Sequence, residues 1–282
     1  MLNISRGGGE KEFHKNTQAP STTSDIAEIL RSAPKMNETM REWVNLVFQQ
    51  HPELSEIGPQ TAYADYLHTI FPSSKIKEII YHYTPNQFET FENKYIKDTV
   101  QWYGFYFSDL HHAQSGGDSH REYLLSAIVD VKKPLFYNQY QQPEQYRQIT
   151  AQQGRKLIPY LKHSLIPSLI EEFDLNIPIE KLKSDPSIWP DDIASGLFEG
   201  VRWGQPTDIV GSKYTRILQE VLDLEDIHSY EDYVDTINEI LGIDAVVNSQ
   251  DSFPEYVITK PEQIHILGSQ KDKEGFRRFV NK

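Results

Sequence analysis

Apolar residues first recur at helical spacing between Met36 and Gln50, where Met40, Trp43, Val44, Val47 and Phe48 fall three or four residues apart. His51-Pro52 stops that helix, because the residue before a proline is pushed out of the αR region. The spacing returns from Thr61 to Phe71, with Tyr63, Tyr66, Leu67 and Ile70 on one side. Together the two stretches predict a helical hairpin over 36–72 that packs against one side of a sheet.

From Lys75 the period drops to two. Ile76, Glu78, Ile80 and His82 alternate with Lys77, Ile79 and Tyr81, which predicts a strand over 75–83. In Asn86-Gln-Phe-Glu-Thr-Phe91, Phe88 and Phe91 are placed to plug the core beneath it. The stretch from Trp102 to Asp109 alternates as well, with Phe105 and Phe107 on one face and Tyr106 and Ser108 on the other; Gly104 permits a close backbone approach. Glu122 to Phe136 is almost continuously apolar, so it predicts a strand buried on both faces and ended by Pro134.

The pattern then weakens. Gln139 to Gln153 reads as a glutamine-rich connection, and Leu157 to Phe173 as helix interrupted by Pro159 and Pro167. Short helices and turns follow to Tyr230, including a helix over 214–224. Tyr233 to Leu241 is helical with Gly242 as its stop, and Ile243 to Val247 is a strand. After a polar loop at 248–252, Glu255 stands at the head of a second strand, sharing a face with Val257 and Thr259 while Tyr256 and Ile258 point the other way. Pro261 ends that strand, and 271–280 predicts a basic helix docking Phe276, Phe279 and Val280 inward. Residues 1–35, rich in Gly, Lys, Thr, Ser and Pro without periodicity, read as a disordered tail.

Composition narrows the function classes. A hydrophobic fraction of 38% with 12% aromatic suffices for a packed core. The chain has no cysteine, which removes disulfide and thiolate chemistry and the commonest zinc frameworks. No apolar run is long enough to span a bilayer and the N-terminus shows no apolar signal core, so a soluble protein without signal peptide, acting in the cytoplasm, is expected. Of the net charge of −13, −12 falls between Glu171 and Ile240, where 17 acidic side chains face 5 basic ones. That surface repels phosphate, so stable nucleic-acid binding is not expected, and the run reads first as a solvated helical face. His111, His112 and His120 lack a carboxylate at ligand spacing and read as structural or solvated rather than metal-binding.

Three segments carry the chemistry: Ile79-Ile-Tyr-His82-Tyr83-Thr84, Trp102-Tyr-Gly104-Phe-Tyr106-Phe-Ser108-Asp109, and Phe253-Pro-Glu255-Tyr-Val-Ile with its closing Pro261-Glu-Gln-Ile-His-Ile-Leu267. In that order they resemble the His-Tyr-Glu class of ADP-ribosyltransferases, which includes poly(ADP-ribose) polymerases and diphtheria-type toxins. The pattern is most similar to the transferase domains of phage polyvalent proteins. The resemblance covers roughly 75–268 with a long unmatched insertion.

It implies an α+β fold, a split mixed β-sheet with flanking helices and an acidic helical insertion at about 150–240, within a catalytic domain over 73–282. It implies NAD as substrate, with no metal. Under it, His82 donates to a hydroxyl of the adenosine-side ribose, Tyr83 stands where backbone groups clasp the nicotinamide carboxamide, Thr84 matches the cofactor-binding hydroxyl position that follows, and Tyr106 stacks on the nicotinamide ring beside Gly104 and Ser108. Glu255 stabilises the oxocarbenium-like charge that grows on the ribose as nicotinamide leaves. Tyr83 stands where the family carries Gly. Gly117 stands where it carries a second stacking tyrosine, for which Tyr123 is the candidate substitute. The insertion is open to reading as a lid, a target-recognition element or a structural elaboration. The implied activity is ADP-ribosyl transfer, of single units, to a host protein or other acceptor, in the host cytoplasm or carried in a virion. NAD hydrolysis and a non-enzymatic virion or interaction module on an inactive transferase fold are the alternatives.

Overall fold

The computed structural model describes residues 40–96, 104–110, 123–137, 143–162, 164, 166–172, 175–203, 222–224, 230–250 and 253–282. The expected tail at 1–35, the histidines at 111, 112 and 120, Gly117, Trp102 and most of the expected helix over 214–224 lie outside these.

The helical hairpin is present as α1 (Met40–Gln50) and α2 (Gln60–Ile70), joined through a 3-10 turn at Pro52–Glu56. Val44, Val47, Tyr63 and Leu67 are all buried, as their spacing requires. The strands are β1 (Ile80–Thr84), β2 (Phe105–Ser108), β3 (Tyr123–Val129) and β4 (Pro134–Tyr137). Helices α3 (Pro143–Leu157), α4 (Ile166–Glu172), α5 (Ile179–Ser184), α6 (Asp191–Trp203) and α7 (Tyr230–Leu241) follow. The chain closes with β5 (Ala245–Gln250), β6 (Phe253–Ile258), β7 (Ile264–Ile266) and α8 (Gln270–Val280). The fold is mixed α and β around one seven-stranded sheet, ordered β4-β5-β6-β2-β1-β3-β7. β4 runs parallel to β5, and every other neighbouring pair is antiparallel.

Several boundaries differ from the expectations, each for a local reason. The strand expected over 75–83 is regular only from Ile80. Before it, the Ser74 hydroxyl accepts from the Ile76 and Val131 amides at 3.3 and 3.1 Å and bends the chain into the sheet. The single strand expected over 122–136 is two strands, β3 and β4. Pro134 begins the second instead of ending the first; a proline, lacking an N–H, is tolerated at the start of an edge strand. The turn between them is held by Asp244, whose carboxylate accepts from the Lys132 and Lys133 amides at 2.7 and 2.8 Å. The expected glutamine-rich connection is mostly helix α3. β5 runs on to Gln250, through residues expected in a loop. β6 starts at Phe253, so Glu255 lies inside the ladder and not at its head.

The sheet has two differently covered faces. On one, Ile80, Phe105, Phe107, Leu125, Tyr256 and Ile258 form a core with Phe91, with Phe88 packed against it. On the other, two separate clusters cover the two halves. Helices α3, α6 and α7 bury Trp189, Phe198, Ile237 and Leu241 over Leu135, Val246 and Val257, with Tyr106 at the margin. The α1–α2 hairpin and Phe276 of α8 cover Tyr81, Ile128 and Leu267 on the other half. The stretch left open between lid and elaboration is therefore, in its described part, a layer of the core. Gly154 lets α3 and α6 meet closely, since a Cβ there would lie 1.6 Å from the Ala194 carbonyl oxygen.

Candidate functional site

Cross-strand register decides which candidate side chains can meet, because directly opposed residues share a face. Glu255 stands opposite Ser108 of β2 on one side and Asn248 of β5 on the other. Tyr106 is opposite Val257, one step along the same face, and Tyr81 of β1 is opposite Ser108. One polar rung, Asn248–Glu255–Ser108, thus crosses three central strands beside an apolar rung of Val246, Val257 and Tyr106. Tyr106, Ser108 and Glu255 are all half-buried. They lie where the cluster containing Tyr106 gives way to the one containing Tyr81.

Gly104 lets β2 begin hard against β6. A Cβ at this position would come within 2.8 Å of both the Ile258 carbonyl oxygen and Val257 Cγ1, and its φ of 157° disfavours other residues. The close approach expected of this glycine is present, and it carries Tyr106 and Ser108 into register with Val257 and Glu255.

His82 reaches the site by another route. Alternation along β1 puts His82 and Thr84 with Ile80 on the opposite face, where the His82 ring packs against Phe91 and Phe107 with centroids 5.1 and 5.5 Å apart. Tyr123 is paired with Thr84 and shares that face. β1 and β2 are registered at one pair only, Tyr81 with Ser108, whereas β1 and β3 share five. Just past that pair, His82 Nδ1 donates to the Tyr106 carbonyl oxygen at 2.7 Å. A carbonyl can only accept, so Nδ1 carries the proton, and in the neutral ring Nε2 is an acceptor. A hydroxyl approaching Nε2 of neutral His82 would donate to it, the reverse of the direction expected from the sequence.

The predicted site residues therefore form two groups. Tyr106, Ser108, Glu255 and, by alternation with Tyr81, Tyr83 share one face. His82, Thr84 and Tyr123 share the other, joined to the first group through the Tyr106 backbone. Thr84 is buried and its hydroxyl accepts from the Asn86 amide at 3.3 Å, a local turn contact. Gln263 of the closing motif is structural, because its amide nitrogen donates to the Asp130 and Asp244 carbonyls at 3.0 Å each and pins β7 beside the β3–β4 turn.

One residue of the rung was not anticipated. Asn248 is 2% exposed, and neither its amide oxygen nor its amide nitrogen finds a hydrogen-bond partner among the described residues. Leaving a buried polar group unpaired costs about 1–3 kcal/mol, and native structures seldom tolerate it without a reason. The sequence offered little signal, because 248–252 reads as a polar loop. No group of three metal-ligating side chains is found among the described residues, and no helix among them is long and apolar enough to cross a membrane.

No protein-family model, no curated protein and no solved structure matches this chain.

Proposed function

We propose that this protein is an NAD-dependent ADP-ribosyltransferase, acting on a protein or other acceptor through Glu255. The observation that carries the reading is the juxtaposition of Glu255 with Ser108 and Tyr106 on one face of the sheet, beside a His82 imidazole oriented by the Tyr106 carbonyl. Bound there, NAD supplies an ADP-ribosyl group: the bond from ribose C1′ to nicotinamide breaks with its electron pair leaving on nicotinamide, C1′ bonds to the acceptor nucleophile, and the nucleophile's proton is released.

Each residue then has a role it can perform physically. Glu255 accepts a hydrogen bond from a ribose hydroxyl and offsets the positive charge that grows on the sugar, as a carboxylate does in glycoside cleavage. Tyr106 offers an aromatic face to a flat cationic ring, and the residue is held by packing against the α3–α6–α7 layer. The imidazole of His82, fixed through Nδ1, presents Nε2 as an acceptor for a second sugar hydroxyl. Ser108, opposite Glu255, supplies a donor that holds the carboxylate. The finer fold assignment, a split sheet of the transferase kind, belongs to the same proposal; the seven strands form one continuous sheet whose thinnest join, a single registered pair, lies between β1 and β2.

The test is incubation of the purified chain with NAD labelled in its adenylate half, in the presence of lysate, beside Glu255→Gln. Labelled acceptor and free nicotinamide are expected from the wild type, with the rate reduced about 100- to 1,000-fold in the variant, the scale of losing one charge-stabilising group. Nicotinamide release without labelled acceptor selects hydrolysis. Absence of both eliminates the enzyme reading.

A further inference from the structure

Asn248 is a buried side chain whose amide finds no hydrogen-bond partner among the described residues. Gln153 and Asn238 also leave one amide atom each unpaired, but Asn248 leaves both, and it alone of the three stands in register with a half-exposed carboxylate. On that face Val246 precedes it on its own strand and Glu255 stands across the ladder, while Tyr137 of β4 is its register partner on the other side. An apolar residue of the same size would fit this site better than an amide, unless something outside the described chain pairs with it.

We propose that Asn248 is a ligand-contacting residue of the Glu255 site, its carboxamide giving and accepting hydrogen bonds with the vicinal hydroxyls of a ribose held against Glu255. The assignment rests on the NAD reading above and adds a specificity residue to it. A carboxylate only accepts, so a sugar hydroxyl that donates to Glu255 still has oxygen lone pairs to satisfy. The Asn248 amide provides the donor for them, and its oxygen accepts from the neighbouring hydroxyl. Opposed residues on antiparallel strands have Cα atoms about 4.5–5.5 Å apart, close enough for one small diol to reach both side chains. A site built this way discriminates strongly against a sugar lacking one hydroxyl, because the unmatched amide stays unpaired.

The test uses the full chain and two readouts, thermal unfolding without ligand and the NAD dissociation constant by calorimetric titration, for wild type, Asn248→Leu and Asn248→Ser. Asn248→Leu is expected to raise the ligand-free Tm by about 2–4 °C, since it removes an unpaired buried amide, and to weaken NAD binding about tenfold or more. Asn248→Ser, which withdraws the amide but leaves a small hydroxyl, is expected to weaken NAD binding about threefold to tenfold and serves where the leucine variant does not fold. Unchanged NAD affinity in either folded variant overturns the assignment and leaves the proposed function standing. A lowered ligand-free Tm in Asn248→Leu overturns it too, because the amide would then have a structural partner. A wild type that binds no NAD removes the proposed function and this inference together.

Discussion

The His82 imidazole donates through Nδ1 to the Tyr106 carbonyl oxygen, 2.7 Å away, just beyond the one point where β1 and β2 are registered. The ring bridges the two strands by a side-chain bond while packing on Phe91 and Phe107. His82→Ala removes both the bond and the packing and is expected to cost about 2–4 kcal/mol. His82→Phe refills the aromatic site without restoring the bond and is expected to recover about half of that loss. Urea unfolding of the two variants separates the contributions. Equal stability in both would show that the packing around the ring contributes nothing.

Asp272 organises a second polar cluster, far in sequence from its main partner. It is fully buried, and its carboxylate accepts from the Tyr63 hydroxyl at 2.5 Å and from the Gly268 amide at 2.8 Å, with His265 Nε2 on its other oxygen at 2.7 Å. Burial, and then the Asp272 charge, push the Tyr63 phenol well above its ordinary range. The cluster ties the α1–α2 hairpin to β7 and α8. Asp272→Ala strands three polar partners in the interior and is expected to cost about 3–5 kcal/mol, visible in calorimetry as a fall in Tm of about 10 °C. Tyr63→Phe removes one donor and is expected to cost about 1–2 kcal/mol.

The two clusters show what was legible in the sequence. Alternation gave the faces of β2 and β6 correctly, with Phe105 and Phe107 opposite Tyr106 and Ser108, because a period of two follows from strand geometry alone. It also gave the pleat of β1, but not its consequence, that His82 and Glu255 fall on opposite faces, with His82 tied to the Glu255 side through the Tyr106 backbone. Helix α3 was missed because its buried side holds Thr150 and Gln153 between Tyr146, Ile149 and Leu157, so polarity masked the helical spacing. Asp272 reads as an ordinary first-turn acid, and its partnership with Tyr63 spans 209 residues. Asn248 failed for a related reason: a polar residue at the end of an apolar run marks a loop unless its ladder partners are known.

Stability should also depend on pH through His51. Its pKa is lowered, chiefly by burial, with Glu53 opposing and Lys273 reinforcing the shift. A histidine whose folded-state pKa is depressed is held neutral in the folded protein, so the unfolded chain binds the extra proton. Its contribution is complete above the ordinary value of 6.5 and is lost as pH falls below it. Glu53 acts lower: its pKa is reduced below 4.5, through its backbone contact and Lys273 against the effect of burial, so its contribution is present above 4.5 and lost as pH falls further. Tm is therefore expected to decline as pH falls from about 7 to about 5.5, and His51→Gln is expected to flatten that part of the profile while leaving the acid limb below 4.5. An unchanged slope in His51→Gln would assign the decline to another group.

The contact between α3 and α6 gives a prediction in which two effects have opposite signs. By helix propensity alone, Gly154→Ala within α3 should stabilise by up to about 1 kcal/mol. The added Cβ would sit 1.6 Å from the Ala194 carbonyl oxygen and 2.5 Å from its carbonyl carbon, contacts that backbone atoms cannot relieve without moving the helices apart. Such overpacking costs about 1–3 kcal/mol, so Gly154→Ala is expected to be net destabilising. The two helices carry Ala194, Leu197 and Phe198 against Leu157, and this layer braces Tyr106. Under the NAD reading proposed above, pushing α6 outward should therefore loosen Tyr106 and weaken NAD binding without altering any residue assigned to contact it. Denaturant unfolding and an NAD titration on the same variant check both parts. A gain in stability would mean that the crossing has room the structure does not show, and unchanged NAD affinity alongside a stability loss would mean that Tyr106 is held independently of the helical layer.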